Sequence, residues 1–308
     1  MDASVRDSSR ELRFLWLEIT GHCQLLCEHC YAEGGPAGTD GVMTGDDWRR
    51  VIDQAVALGV RLIQFIGGEP TMHPELPQLV GYVLRQQVGV EVFTNLVRVT
   101  PRLWDTFSQP GVRLATSYYS DSADQHTAIV GRRGVHARTT SNIAEAVRRA
   151  IPLRVGIVDI MDGQRVKQAR ELLTALGVSD IGTDHLRQVG RGVSTDAPDA
   201  SQLCGNCARG KVAIAPTGDV WPCVFARWMP VGNVRTASLA EIVTGTQMAQ
   251  TVARLDAHFE PLAPEMVCLP RMCDPDCGPN CGPACLPSCW PHGTGPCGPN
   301  GGCVPNYG

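Results

Sequence analysis

Residues 21–31 read Gly-His-Cys-Gln-Leu-Leu-Cys-Glu-His-Cys-Tyr, so Cys23, Cys27 and Cys30 fall in the spacing CxxxCxxC and Tyr31 follows at once. Three thiolates fill three corners of a cubic 4Fe-4S cluster and leave one iron free to take another ligand. An open iron implies chemistry at the cluster. A structural zinc ion normally closes its tetrahedron with a fourth Cys or His at comparable spacing, and His22 and His29 are the neighbours able to supply it. On this stretch alone zinc stays open.

Upstream, residues 13–20 form a run of large apolar and β-branched side chains that reads as a buried strand ending just before Cys23. Downstream the pattern alternates. Helical periodicity over 44–58, 74–87, 100–107, 136–150 and 163–176 separates strand-like runs at 61–66, 89–94, 112–119, 153–160 and 181–189. Such alternation argues a parallel sheet with right-handed crossovers. A full eight-unit barrel takes about 250 residues, roughly 31 per unit, so 13–192 holds six units. The expected fold is α/β, a partial and open (βα)6 barrel, with a cysteine loop on the C-terminal end of its first strand where barrels carry their sites.

The second strand ends in Gly67, Gly68, Glu69 and Pro70. Two glycines let the backbone approach a ligand closely, and the carboxylate beside them is able to pair with an ammonium group. Read alone, Gly-Gly-Glu-Pro is an ordinary turn. One strand after CxxxCxxCY, it resembles the GGEP motif of the radical S-adenosylmethionine (SAM) superfamily, whose cysteine motif resembles residues 23–31. That resemblance implies a cluster held by Cys23, Cys27 and Cys30 as the catalytic centre, with Tyr31 beside it. It also implies that the loop Gly67–Pro70 holds the amino group of SAM. Asn95 at the end of the third strand resembles a Thr-Asn-Gly ending, with Leu96 where the glycine would be. Ser117 closes the fourth strand, where family members bind the SAM ribose. His126, Arg132, Arg133 and Asn142 read more simply as local structure. After the sixth strand, Arg187 and the run Gly190, Arg191, Gly192 resemble a Gly-Arg-small ending, and an arginine there suits the SAM carboxylate.

Composition changes beyond 192. A Ser, Thr, Asp, Ala, Pro-rich linker spans 193–203, and the cysteine-rich remainder, 204–308, reads as a small loop-dominated iron-sulfur domain. Cys204 and Cys207 precede a hairpin whose turn is Pro216–Asp219, and Cys223 follows Gly218 in the spacing GxxxxC. This resembles the opening of a SPASM or twitch domain, which implies one or two auxiliary iron-sulfur clusters, a zinc ribbon being the alternative reading. The tail departs from that pattern. Cys268, Cys273, Cys277, Cys281, Cys285, Cys289, Cys297 and Cys303 each begin a Cys-x-Pro triplet. Proline at every second place after cysteine forbids helix, and metal-sulfur bonds are the evident source of order for so little apolar bulk.

The charge of −4 offers no electrostatic case for nucleic acid. Residues 1–12 are mostly polar and charged, without a secretory signal or membrane span. Fourteen cysteines in such a chain read as metal ligands in a reducing compartment, the cytoplasm. The resemblance implies a 5′-deoxyadenosyl radical that abstracts hydrogen from an unactivated carbon, an electron donor of the flavodoxin or ferredoxin type, and a peptide substrate matured into a natural product by crosslink, thioether or epimerisation. Residues 1–12 are too short for a leader-binding domain, so leader recognition is expected of a separate partner or of the tail. A dehydrogenase or decarboxylase of small molecules is the alternative enzyme. A non-enzymatic iron-sulfur carrier is the alternative from another class, and it has no need of a GGEP loop.

Overall fold

The computed structural model describes residues 11–193 and 198–259. The expected apolar runs form six short strands: β1 (Phe14–Glu18), β2 (Leu62–Ile66), β3 (Gly89–Phe93), β4 (Val112–Tyr118), β5 (Leu153–Asp159) and β6 (Asp180–His185). They pair in the order β6-β5-β4-β3-β2-β1, every pair parallel. Between them run α1 (Gly45–Ala57), α2 (Leu76–Arg85), α3 (Pro101–Phe107), α4 (Ala123–Val130), α5 (Val135–Arg148) and α6 (Val166–Ala175). Thr44 starts α1 with a capping box, its hydroxyl accepting from the Asp47 amide while the Asp47 carboxylate accepts from the Thr44 amide.

Helix α4 is absent from the sequence reading. Its apolar stripe is short, and its signals are a Ser122 N-cap and Gly131, a left-handed C-cap at φ 70°.

Strand side chains alternate between two environments. Leu15, Leu17, Ile63, Phe65, Val90 and Val92 face the helices, where Trp48 is fully buried. Each such burial stabilises by about 1.5–3 kcal/mol. The opposite face points into the barrel, and there Phe14, Trp16, Leu62 and Ile66 meet Ala213, Trp221 and Leu255 from the C-terminal part.

That contact continues the sheet from the barrel into the C-terminal part. Strand β7 (Lys211–Ile214) pairs in parallel with β1, Phe14 opposite Lys211, and then turns back into β8 (Asp219–Trp221) and β9 (Gly232–Asn233). The cysteine-rich segment therefore opens as three further strands of the same sheet. Glu18 of β1 and Arg227 form a buried two-point ion pair, with Nη1–Oε2 at 2.5 Å, and the Arg227 guanidinium lies 4.2 Å over the Trp221 ring. Helices α7 (Leu239–Thr244) and α8 (Thr246–Phe259) complete the described chain, with the Leu239 amide donating to Gln54 of α1. Cys268 through Cys303 lie outside the described residues.

Candidate active site

Residues 20–40 leave β1 and fold back on themselves: the Cys23 amide donates to Gly35, the Gly35 amide to Gly21, and the Gly21 amide to Thr39. Cys23 is buried, Cys27 and Cys30 are half-buried, and all three are free thiols. Burial pushes Cys23 and Cys27 up to about 12, and the charge of Cys30 raises both further. Protons on these thiols must be displaced by whatever metal binds.

Among the described residues no three Cys, His, Asp or Glu side chains are spaced to hold one ion. His29 places its Nε2 3.0 Å from the Tyr119 hydroxyl. Burial drives His29 down to about 4, and its Nδ1 is buried with no hydrogen-bond partner among the described residues. An orphaned polar atom beside three converging thiols fits a bound group there.

The thiols open onto a cavity of about 510 Å³ inside the barrel, within the usual size of cofactor sites. Gly67, Gly68, Asn95 and Ser117 line it near the thiols, and Val224 and Phe225 form a wall from the C-terminal part. The glycines are demanded by backbone packing. A Cβ at Gly68 would meet the His22 and Gly21 carbonyl oxygens at 2.5 and 2.6 Å, and one at Gly67 the Thr20 oxygen at 2.3 Å. The loop after β2 is thereby pressed against the cysteine loop.

Glu69 is held by its own loop and by the end of β3. Its carboxylate does not line the cavity; it accepts from the Thr71 amide (3.0 Å), the Thr71 hydroxyl (2.6 Å), the Thr94 hydroxyl (2.7 Å) and the Asn95 amide (2.8 Å). Burial raises its pKa and those bonds oppose the rise. Pro70, the first residue of the 3-10 turn that Glu69 caps, is also absent from the cavity lining. Glu69→Gln should therefore lose stability as well as SAM affinity: an amide facing the Asn95 N–H forfeits a charge-assisted bond of about 1.5–3 kcal/mol. Urea unfolding beside calorimetry checks this, and weaker SAM binding at unchanged stability would restore direct pairing.

Asn95 sits beside the thiols, its Nδ2 3.8 Å from the Cys23 sulfur and its Oδ1 accepting from Gln24 at 3.0 Å. Leu96 stands where the resemblance has glycine, and its φ is 54°, the left-handed region. Helix α5 holds that strained turn, Thr139 donating to the Asn95 carbonyl and Asn142 to that of Leu96. Arg132 likewise donates to the Gln24 carbonyl. Ser117 hydrogen-bonds Tyr119, which continues the chain to His29. His126, pushed down to about 4 by burial, packs edge-on to Tyr118 and Tyr119 behind them.

Tyr31 meets the Phe225 ring edge-on at 5.0 Å, and burial raises its phenol. Arg187 lines the cavity, but its guanidinium is shared between Phe225 (5.0 Å), the Gln202 carbonyl (3.1 Å) and Asp184 (3.4 Å). The floor is polar. Gln64, Glu91, Arg113 and Arg154 project inward from β2, β3, β4 and β5, with Glu91 bound by both arginines and by Gln64. Charged residues alternating within apolar strands were the available sequence signal for this floor.

Cys207 and Cys223 are buried and hydrogen-bonded to each other, Cys204 is exposed beside them, and the Cys223 sulfur accepts from the Phe225 amide at 3.3 Å. The shared hydrogen bond pulls Cys223 down and raises Cys207. Lys211, buried at the start of β7, places its charge among these three thiols.

The family model of the radical SAM superfamily matches residues 17–176, and that of the SPASM iron-sulfur cluster-binding domain matches 204–278. The AdoMet-dependent heme synthase of Methanosarcina barkeri is 27% identical over 60% of this chain and 53% of its own length. The antilisterial bacteriocin subtilosin biosynthesis protein AlbA of Bacillus subtilis is 24% identical over 70% of this chain and 56% of its own. The chain thus spans little more than half the length of these two relatives. Among solved structures, Streptococcus suis SuiB bound to precursor peptide SuiA superposes with a TM-score of 0.66 at 13% identity, over 79% of this chain and 67% of that one. With its cysteine loop, glycine loop and open parallel barrel, the chain belongs to the radical SAM superfamily, and its C-terminal part carries a SPASM-type domain.

Proposed function

We propose that this chain is a peptide-modifying radical SAM enzyme. The observation that carries the reading is the single cavity that begins at Cys23, Cys27 and Cys30 and ends on Val224 and Phe225, beside Cys223. Family membership implies a 4Fe-4S cluster at the three thiols, S-adenosylmethionine, and auxiliary clusters in the SPASM segment. When bound, the first two supply one-electron reductive cleavage and hydrogen-atom abstraction.

The chain's own part is binding and exclusion. Cys23, Cys27 and Cys30 hold the cluster. The backbone of Gly67 and Gly68 receives the ammonium end of the cofactor, Glu69 fixing that loop from behind. Asn95 and the Ser117–Tyr119–His29 chain present polar groups along its length. Tyr31, Phe225 and Trp16 keep water from the reacting carbon. Cys204, Cys207 and Cys223 supply auxiliary ligands, joined by cysteines of the tail. An external flavodoxin- or ferredoxin-type donor and a leader-binding partner complete the system, in the cytoplasm. Among the described residues no helix is long and apolar enough to cross a membrane.

Anaerobically reconstituted protein, given SAM, reductant and each short peptide found encoded within a few genes of its own, should form 5′-deoxyadenosine together with a mass shift in one of those peptides. Cleavage of SAM with no change in any such peptide would end the peptide reading. The modest volume of the cavity, about 510 Å³, favours a second one, oxidation of a small metabolite, for which a metabolite-dependent rise in 5′-deoxyadenosine is the sign.

A further inference from the structure

Strand β6 ends the sheet on one side, and β1 gives its far edge to β7, so among the described residues no strand pairing joins β6 to β1. An open seam is left in the barrel wall. At the C-terminal mouth it is bridged by the turn after β6. Gly190, at φ 59°, lies so close to the cysteine loop that a Cβ would meet the Cys30 and Tyr31 carbonyl oxygens at 2.5 Å each. The Arg191 amide donates to the Cys30 carbonyl at 3.1 Å. Its Nε donates to the Cys27 carbonyl at 2.9 Å and its Nη2 to the Gly34 carbonyl at 2.8 Å.

One residue thus binds three carbonyls of the cysteine loop from 157 to 164 positions away. The sequence reading put this Gly-Arg-Gly run beside the SAM carboxylate, whereas two of the guanidinium N–H groups are committed to backbone. Their positive charge also bears on Cys27 and His29. Among the further anchors of the loop, the Leu26 and Glu28 amides donate to the Val130 and Ile129 carbonyls at the end of α4, at 3.3 Å each.

We propose that Arg191 is a positioning residue: it closes the open seam at the barrel mouth and fixes the curvature of the loop that presents Cys23, Cys27 and Cys30. That these thiols carry a cluster rests on the function proposed above; the clasp itself belongs to the metal-free chain. A rigid fork is what two separated carbonyls need, and a lysine ammonium on a flexible stem does not reproduce it.

Amide hydrogen exchange of the full, metal-free chain tests the clasp. In Arg191→Met, which keeps the apolar stem, peptides covering 25–34 should exchange about ten-fold faster or more, equivalent to about 1.4 kcal/mol of easier local opening. Peptides from β3 to β5 should not change. Arg191→Lys should fall between the two. After reconstitution, both variants should release iron to a chelator faster than the wild type, and the EPR signal of the reduced core cluster should change. Wild-type exchange of the loop in a folded Arg191→Met protein would overturn the proposal. Should that variant unfold globally, Arg191→Lys decides, and wild-type loop exchange in it would equally overturn the proposal. A wild-type chain holding no more iron than one lacking Cys23, Cys27 and Cys30 would instead overturn the cluster reading and leave the clasp standing.

Discussion

Replacing Cys23, Cys27 and Cys30 together by alanine is expected to abolish 5′-deoxyadenosine formation and to remove about four irons per chain, the content of one cubic cluster. The fold should survive. Cys27 and Cys30 are only half-buried, and Cys23, though packed with Leu25, Val97 and Tyr119, loses a single sulfur. Such a truncation costs about 1 kcal/mol, well within the stability of a domain. Cys204, Cys207 and Cys223 stay in place, so iron bound in the SPASM segment should persist with its own spectroscopic signal. Iron analysis, EPR and product chromatography on the two reconstituted proteins make the comparison. Undiminished 5′-deoxyadenosine from the triple variant would remove this loop from the chemistry. Loss of all iron would show instead that the auxiliary sites assemble only after the first.

Much of this architecture was legible because its determinants are local. The three cysteines of the loop fall within eight residues, Cys23 to Cys30, and parallel strands buried on both faces appear as apolar runs. Glu69 is only half legible, for a physical reason. Sequence records that a carboxylate follows two glycines, but not that four donors from its own turn and from β3 turn it away from the cavity. Leu96 shows the converse: it stands where the resemblance has glycine, and its backbone keeps the left-handed conformation that glycine suits. What escaped was non-local. The pairing of β7 with β1 joins residues 197 apart in register, Phe14 and Lys211, and no local pattern announces it. Arg191 and the Glu18–Arg227 pair depend likewise on where the chain returns.

Glu91→Gln is expected to be the most destabilising single change in the barrel interior, and its cost should depend on pH. Glu91 is 1% exposed and bonds Arg154 through both carboxylate oxygens, at 3.0 and 2.9 Å, with the Arg113 Nε 3.0 Å away. Breaking a buried pair by removing one partner costs about 3–5 kcal/mol, because the remaining charge has no counter-ion. Both guanidiniums reach the cavity, with side chains 30% and 20% exposed, so solvent relieves part of that and a loss of about 3 kcal/mol at pH 7 is expected. Burial pushes the Glu91 carboxyl up, but Arg154 and Arg113 outweigh it and hold the group below its ordinary 4.5. A depressed carboxyl stabilises above its unfolded pKa, and that contribution is lost as pH falls through the folded value. The wild type should therefore lose stability in acid below about pH 4.5, while the glutamine variant, having no proton to gain there, should lose less. Asp180, raised by burial, works in the opposite sense, so the midpoint of the acid limb belongs to the whole cluster of charges. Urea unfolding of the metal-free proteins at pH 7 and pH 4 reads the difference directly. An equal loss at both pH values would mean that Glu91 contributes shape rather than charge. No loss at pH 7 would mean that cavity water solvates the two arginines, and the barrel floor would then be a wet surface instead of a paired one.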